Sequence, residues 1–167
     1  MPSQKRTRHS AGLLLFRRPA EATDDRAGFE VLIGHMGGPF WAGRESAAWS
    51  IPKGEYGPDE EPGAAARREF EEEFGRPVPD GAWVSLGDAR QSGGKTVTVW
   101  ALEADTDAST AVPGTFTMEW PRGSGVLREF PEIDRFAWFP PQEAAERLVS
   151  GQRTFLDRLR EHLEAVG

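Results

Sequence analysis

Reading on from Gly54, the chain sets Glu60 six positions later and then Arg68, Glu69, Phe70, Glu72, Glu73 and Gly75. At 100° per residue, Glu69, Glu72 and Glu73 fall within about 100° of one helix face, while Ala66, Phe70 and Phe74 take the neighbouring face and can anchor the helix in a core. Carboxylates crowded in this way raise one another's pKa values and cost stability until a cation neutralises them. A ligand set made only of oxygen favours Mg²⁺ or Mn²⁺ over zinc or copper. The competing reading is a solvated acidic face, which asks nothing of the preceding turn. The turn Lys53-Gly54-Glu55 favours the metal, because a glycine there lets its backbone carbonyl reach the same ion. Such a cluster can hold a hard cation and offer a base for the proton of an attacking water.

The pattern resembles the signature of the Nudix hydrolase family: Gly, five residues, Glu, seven residues, Arg, Glu, an aliphatic or aromatic residue, any residue, two Glu, any residue, Gly and a final aliphatic. Every position matches except the last, where this chain has Arg76. That departure falls at the helix end and bears on packing rather than chemistry. Seven fixed residue types coincide by chance at on the order of 10⁻⁸ per starting position. Ile51-Pro52-Lys53, Phe16-Arg17-Arg18 and the run from Phe130-Pro131-Glu132 to Trp138-Phe139 also look like family features, so the resemblance spans most of the chain. It implies that the Gly54 carbonyl, Glu69, Glu72 and Glu73 hold the metal, with Glu69 or Glu72 as the base. It also implies an ion pair between Glu60 and Arg68 that orients the catalytic turn, against the alternative of an ordinary surface pair. Family members often add a carboxylate six residues before a Trp of the final strand; counting back from Trp138 gives Glu132, with Glu129 and Glu119 in reserve.

Substrate contacts are less sharply marked. Lys53 can meet a phosphate as a point charge, or simply cover the turn. Arg17 and Arg18 alternate faces on a strand, so at most one reaches a ligand. Trp41, Trp49, Trp100 and Phe130 are candidates to stack on a nucleobase, although most aromatics are core. His9, His35 and His162 make no catalytic or metal-ligand spacing with one another and read as structural.

These groups must be held by a fold. Residues 11–17 and 29–35 read as two strands separated by a polar loop over Pro19 to Gly28. Residues 59–75 read as a helix, stopped by Gly75 and Pro77. Residues 83–89 and 96–104 form a hairpin through the Gly93 to Lys95 turn. Residues 105–125 carry Pro113, Gly114, Pro121 and Gly123 and are expected as a long loop with substrate contacts. A short strand over 136–139 and helices over 141–150 and 152–166 follow, the last with Phe155, Leu156, Leu159 and Leu163 on one face. Strands around one central helix, closed by C-terminal helices, define an α/β or α+β class with a mixed sheet covered on both faces, the α/β/α sandwich that the resemblance implies.

At 167 residues the chain is expected to form one domain over 1–167. Its net charge of −7 argues against extended nucleic acid but leaves small phosphorylated ligands open if a dication stands between the charges. Lys5, Arg6 and Arg8 are expected to be a solvated terminus. No cysteine is present, which removes disulfides, thiolate nucleophiles and zinc–thiolate sites. No apolar run reaches the length of a leader or a membrane span, so the expectation is a cytoplasmic monomer or homodimer without a membrane partner.

Within the family, the layout is most similar to the diadenosine polyphosphate hydrolases: the compact opening strand, the strand from Lys95-Thr96-Val97 to Trp100, and the segment from Glu132 to Trp138. Those enzymes often carry a Tyr downstream of the box, whereas Tyr56, inside it, is the chain's one tyrosine. The Pro often seen downstream in ADP-ribose hydrolases is replaced by Gln91. The leading expectation is asymmetric, Mg²⁺-dependent hydrolysis of a dinucleoside polyphosphate. The alternatives are a house-cleaning pyrophosphatase for nucleoside triphosphates or nucleotide sugars, and a non-catalytic nucleotide-binding module on the same fold.

Overall fold

The computed structural model describes residues 8–18 and 28–166. Lys5, Arg6 and nearly all of the expected loop from Pro19 to Gly28 lie outside the described residues. Strand β1 (Arg8–Arg17) is central: it pairs parallel with β6 (Lys95–Glu103) and antiparallel with β2 (Glu30–Met36) and β4 (Lys53–Glu55). Strand β3 (Trp49–Ser50) and strand β9 (Ile133–Phe139) pair antiparallel with β2, and β5 (Trp83–Arg90) pairs antiparallel with β6. The result is a seven-stranded mixed sheet.

The alternation of β1 divides the core. Leu13 and Leu15 face one way and pack with Leu32, Leu102, Ile133 and Phe136 against Phe70 and Phe74 of helix α1 (Pro62–Phe74). Leu14 and Phe16 face the other way, into a cluster with Val31, Ile33, Val97 and Val99 that is closed by Ala144 of α2 (Pro141–Arg147) and by Phe155, Leu156 and Leu159 of α3 (Thr154–Val166). A strand that is apolar on both faces is buried on both. The class is therefore mixed α+β, a central mixed sheet between α1 and the α2–α3 layer.

Several boundaries differ from the sequence expectation for local reasons. Helix α1 begins at Pro62 rather than at residue 59, because proline suits a first helical turn and drives the residue before it, Glu61, into extended backbone at ψ 137. It ends where expected, with Gly75 at φ 79 donating its N–H to the Glu71 carbonyl. Helix α2 stops at Arg147 because Leu148 turns extended and bridges Trp49. The loop expected over 105–125 contains a strand, Thr115–Glu119 (β7), which pairs antiparallel with Leu127–Pro131 (β8) beyond it as a two-stranded ribbon apart from the main sheet. Strand β9 starts at Ile133 instead of residue 136. No helix among the described residues is long and apolar enough to cross a membrane.

Candidate active site

The box glutamates lie where α1 crosses strand β4, whose Lys53 and Gly54 the sequence reads as a turn. That turn is fastened from two sides. Register with β1 sets Gly12 against Lys53, Ala11 against Gly54 and Ser10 against Glu55, and the Leu13 N–H donates to the Pro52 carbonyl at 3.1 Å. Gln152, which is buried, accepts from the Ile51 N–H at 2.8 Å and donates to the Ser50 hydroxyl at 3.0 Å. Gly12 has to be glycine here, since a Cβ would stand 2.8 Å from the Pro52 oxygen.

Arg68 organises the carboxylates. Its guanidinium donates twice to Glu60, both at 2.9 Å, once to Glu69 at 2.7 Å, and more weakly to Glu72 at 3.4 Å and the Glu55 carbonyl at 3.4 Å. A planar fork is needed to serve so many acceptors at once. The Glu60 carboxyl is held below its usual range chiefly by the Arg68 hydrogen bond, and the Arg68 pKa is raised in return. The pair ties the loop before α1 to the helix that bears Glu69.

Glu69 leans on Gly54. Its side chain is 13% exposed, and a Cβ at Gly54 would run into its carboxylate. Burial pushes the Glu69 carboxyl up, Arg68 pulls it down, and the charges of Glu72 and Glu132 push it up again. Glu73 accepts the Lys53 backbone N–H at 3.2 Å. Its carboxyl is pushed up to about 8, first by burial and then by the charge of Glu69, with Glu132 adding and the Lys53 side chain opposing. Glu132, from the segment between β8 and β9, is therefore close enough for its charge to be felt at both helix positions. Glu72, by contrast, is 58% exposed and lines a cavity of about 250 Å³ with Glu73, Gly114, Thr115 and Glu132.

The backbone around Glu132 explains how a loop residue is aimed at a helix. The Glu132 N–H donates to the Gly114 carbonyl at 2.8 Å and its carbonyl accepts from Gly37 at 2.9 Å. The last carbonyls of α1 are satisfied by the same segment, Glu72 by the Gly114 N–H at 3.1 Å and Phe74 by the Val112 N–H at 2.7 Å. Gly37 and Gly114 thus carry as much of the site's geometry as the acids do, and in the sequence they read only as breakers.

The other expected contacts are distributed differently. Trp49 is 1% exposed and packs edge-on against His35 and Phe139, so its rings are closed to a nucleobase and its assignment to substrate is corrected to core. Arg17 lies 4.3 Å over the Trp138 ring and is gripped by Glu30 and Asp105, each at 2.9 Å. The open cavity it lines, about 680 Å³ along Asp105–Ser109 and Phe136–Trp138, shares no residue with the one between Glu72 and Glu132. Phe130 is half-buried in β8 with its ring 6.0 Å from that of Phe116. His35 is structural: its ring nitrogens meet the Asp134 carboxylate at 2.9 Å and the Arg44 carbonyl at 2.6 Å.

A divalent ion suits this donor set. The groups are hard oxygens, they come from α1, β4 and the segment before β9, and they bear mutual repulsion that the nearby Lys53 offsets only in part. Among the described residues no three carboxylates or imidazoles already surround one point as ligands. Glu69 is turned instead to Arg68 and Glu73 to the Lys53 N–H, the positive partners at hand.

Comparison with known proteins agrees with this geometry. Residues 7–159 match the sequence model of the NUDIX domain, and the chain belongs to that family. It is a hydrolase of pyrophosphate bonds, and enzymes of the family generally use a divalent metal and act on small nucleotides. Similar solved structures include the Ap4A hydrolase of C. elegans in a binary complex, with TM-score 0.62 and 18% identity over 93% of this chain and 98% of that one. The Nudix hydrolase RenU of M. smegmatis gives 0.61 and 22% identity over 96% and 88%. The NUDIX domain of Shewanella oneidensis NrtR, solved with ADP ribose, gives 0.60 and 14% identity over 96% and 90%. At these identities the likeness is one of fold. No curated protein sequence matches the chain.

Proposed function

We propose that the chain is a single-domain, cytoplasmic Mg²⁺-dependent pyrophosphohydrolase whose substrate is a dinucleoside polyphosphate. The observation that carries the proposal is the acidic cluster itself: Glu69 and Glu73 are raised by burial, Glu72 pushes Glu69 up and Glu69 pushes Glu73 up, both feel Glu132, and Glu72, Glu73 and Glu132 line one cavity. Carboxylates kept this close against their own repulsion are arranged for a cation. Glu69, Glu72, Glu73, Glu132 and the Gly54 carbonyl would hold the ion, with Mn²⁺ as a substitute. When bound, the ion supplies positive charge against the phosphate oxygens of the substrate.

In this reading Glu72 is the general base, because it faces the cavity while Glu69 is committed to Arg68. A water oxygen forms the new bond to phosphorus, its proton passes to the Glu72 carboxylate, and the bridging phosphoanhydride bond breaks with its electron pair on the departing phosphate. Lys53 offsets charge beside Glu73, and Arg68 with Glu60 keeps Glu69 in place. The dinucleoside assignment is supported by the strand layout and by the end-to-end coverage of a chain described as an Ap4A hydrolase. Nucleotide sugars and nucleoside triphosphates are the outcomes to separate from it.

The test is product analysis on a nucleotide panel with and without Mg²⁺. Diadenosine tetraphosphate should be split unequally by wild type, and Glu72→Gln should lower kcat by on the order of 10²–10⁴. Consumption of another nucleotide while diadenosine tetraphosphate stays intact ends the substrate assignment, and an unchanged Glu72→Gln rate ends the role given to Glu72.

A further inference from the structure

The β7–β8 ribbon has two unlike faces, and one of them continues the catalytic cavity. Along β7 the burial alternates, with Thr115, Thr117 and Glu119 exposed and Phe116 and Met118 half-buried. Phe116 turns inward to Gly38, where even a Cβ would meet its ring at 2.9 Å, and its ring lies beside that of Phe130. The opposite face is read from the register: Thr115 pairs with Pro131, Thr117 with Glu129 and Glu119 with Leu127. Thr115 is the first member of this row, and it lines the cavity shared by Glu72, Glu73 and Glu132.

Residues on one strand face repeat every second position, so Thr117 and Glu129 stand about 7 Å further along the ribbon than Thr115. The pair is therefore within reach of the next group of a substrate whose phosphates occupy the acidic cavity and which runs out past Thr115 along the ribbon. The chemistry of the pair selects what that group can be. Glu129 is an exposed carboxylate and Thr117 an exposed hydroxyl, and the ribbon's strand cation, Arg128, belongs with Met118 on the other face. A further phosphate is repelled there. A nucleobase finds no ring, since Phe116 and Phe130 face inward. Glu119, the next carboxylate of the row, is turned to the Gly125 N–H. A vicinal diol fits: both hydroxyls donate to one carboxylate, and the threonine hydroxyl adds a donor or acceptor.

We propose that Thr117 and Glu129 form a sugar-diol subsite that reads the ribose attached to the phosphates held at Glu72 and Glu73. The proposal rests on the hydrolase reading of that cluster for the place of the phosphates, and the run of the substrate past Thr115 is part of the proposal itself. It makes the ribbon a specificity element, with Glu129 touching substrate but taking no part in the bond cleavage. Loss of the hydroxyls leaves a carboxylate facing them without its partners, which is how a polar site rejects a deoxy analogue.

The experiment compares diadenosine tetraphosphate with its counterpart lacking both 2′-hydroxyls, by kcat/KM on wild type, Glu129→Ala and Thr117→Val, and by calorimetric binding to the same proteins carrying Glu72→Gln. Wild type should prefer the ribo compound by about 10- to 100-fold, Glu129→Ala should bring the ratio close to 1, and Thr117→Val should lower it about threefold. Both residues are exposed, so thermal melting of the variants should match wild type. No discrimination by wild type, or discrimination that survives Glu129→Ala, overturns the subsite while leaving the hydrolase reading standing. Discrimination in binding with no turnover of either compound overturns the choice of substrate but keeps the subsite. Neither binding nor turnover of the pair overturns both.

Discussion

Gly54 shows how little room the site leaves at the level of one residue. Its missing side chain is the space into which the Glu69 carboxylate fits, and Glu69 is in turn held by Arg68 at 2.7 Å. The colliding atoms belong to the end of a flexible side chain, so a methyl group at Gly54 displaces the carboxylate before it displaces backbone. Gly54→Ala is therefore expected to melt within a few degrees of wild type yet lose at least about tenfold in kcat, since an acid misplaced by about 1 Å forfeits much of its catalytic value. Differential scanning calorimetry alongside steady-state kinetics checks it. A variant of full activity would mean that Glu69 does not need to lie against this turn. The same residue also marks what sequence spacing reveals well. The box spacing announced the acids on one helix face, whereas the contact of Glu69 with Gly54 depends on how a helix crosses a turn and has no local signature.

Among the elements, those that brace the catalytic turn come from far along the chain. Gln152 lies in the short link between α2 and α3, yet it satisfies the Ile51 N–H and meets the Ser50 hydroxyl, just before Pro52 and Lys53. Replacing it by Ala strands a buried donor and removes a second hydrogen bond, a loss of about 2–4 kcal/mol in stability. Because the turn is also the platform for Gly54, kcat should fall with KM little changed; urea denaturation and kinetics on Gln152→Ala decide whether both effects occur together. Helix α1, with its alanines, its apolar face and its glycine stop, was readable from local chemistry, and so were β1, β2 and the β5–β6 hairpin. The β7–β8 ribbon was not. Its strands are short, mostly exposed and separated by Pro121, Gly123 and Gly125, and pairing between Phe116 and Phe130 becomes visible only when the two segments are brought together. Trp49 misled for a related reason: an aromatic just before the Lys53–Gly54 turn looks available until β9 and the end of α2 close over it.

For the molecule as a whole, the acidic cluster sets how stability responds to pH. The Glu73 carboxyl is pushed up to about 8 and Glu69 is raised with it, mainly by burial. Between the ordinary carboxylate range and pH 8 the folded state thus keeps a proton that the unfolded chain has released, and stability falls as pH rises through that window. Glu60, lowered by Arg68, and Glu45, lowered by the Trp49 hydrogen bond and then by Arg135 and Arg147, act oppositely, adding stability that is lost on acidification below the ordinary range. The metal-free protein should therefore be most stable near the top of the ordinary carboxylate range, about pH 5, and lose on the order of 2 kcal/mol by pH 8, several degrees in Tm for a chain of this size. In the proposed function magnesium binds only the ionised cluster of the folded state, so its stabilisation should be small at pH 5 and largest at pH 8, flattening the decline. Melting curves from pH 4 to 9 in chelator and in 10-fold steps of Mg²⁺ test this, with Glu73→Gln as the control in which the metal-free slope between pH 5 and 8 shrinks. A Tm that climbs from pH 5 to 8 without metal, or a Mg²⁺ shift of the same size at both ends, would show that the buried glutamates are already neutralised by their own surroundings and have no need of an ion.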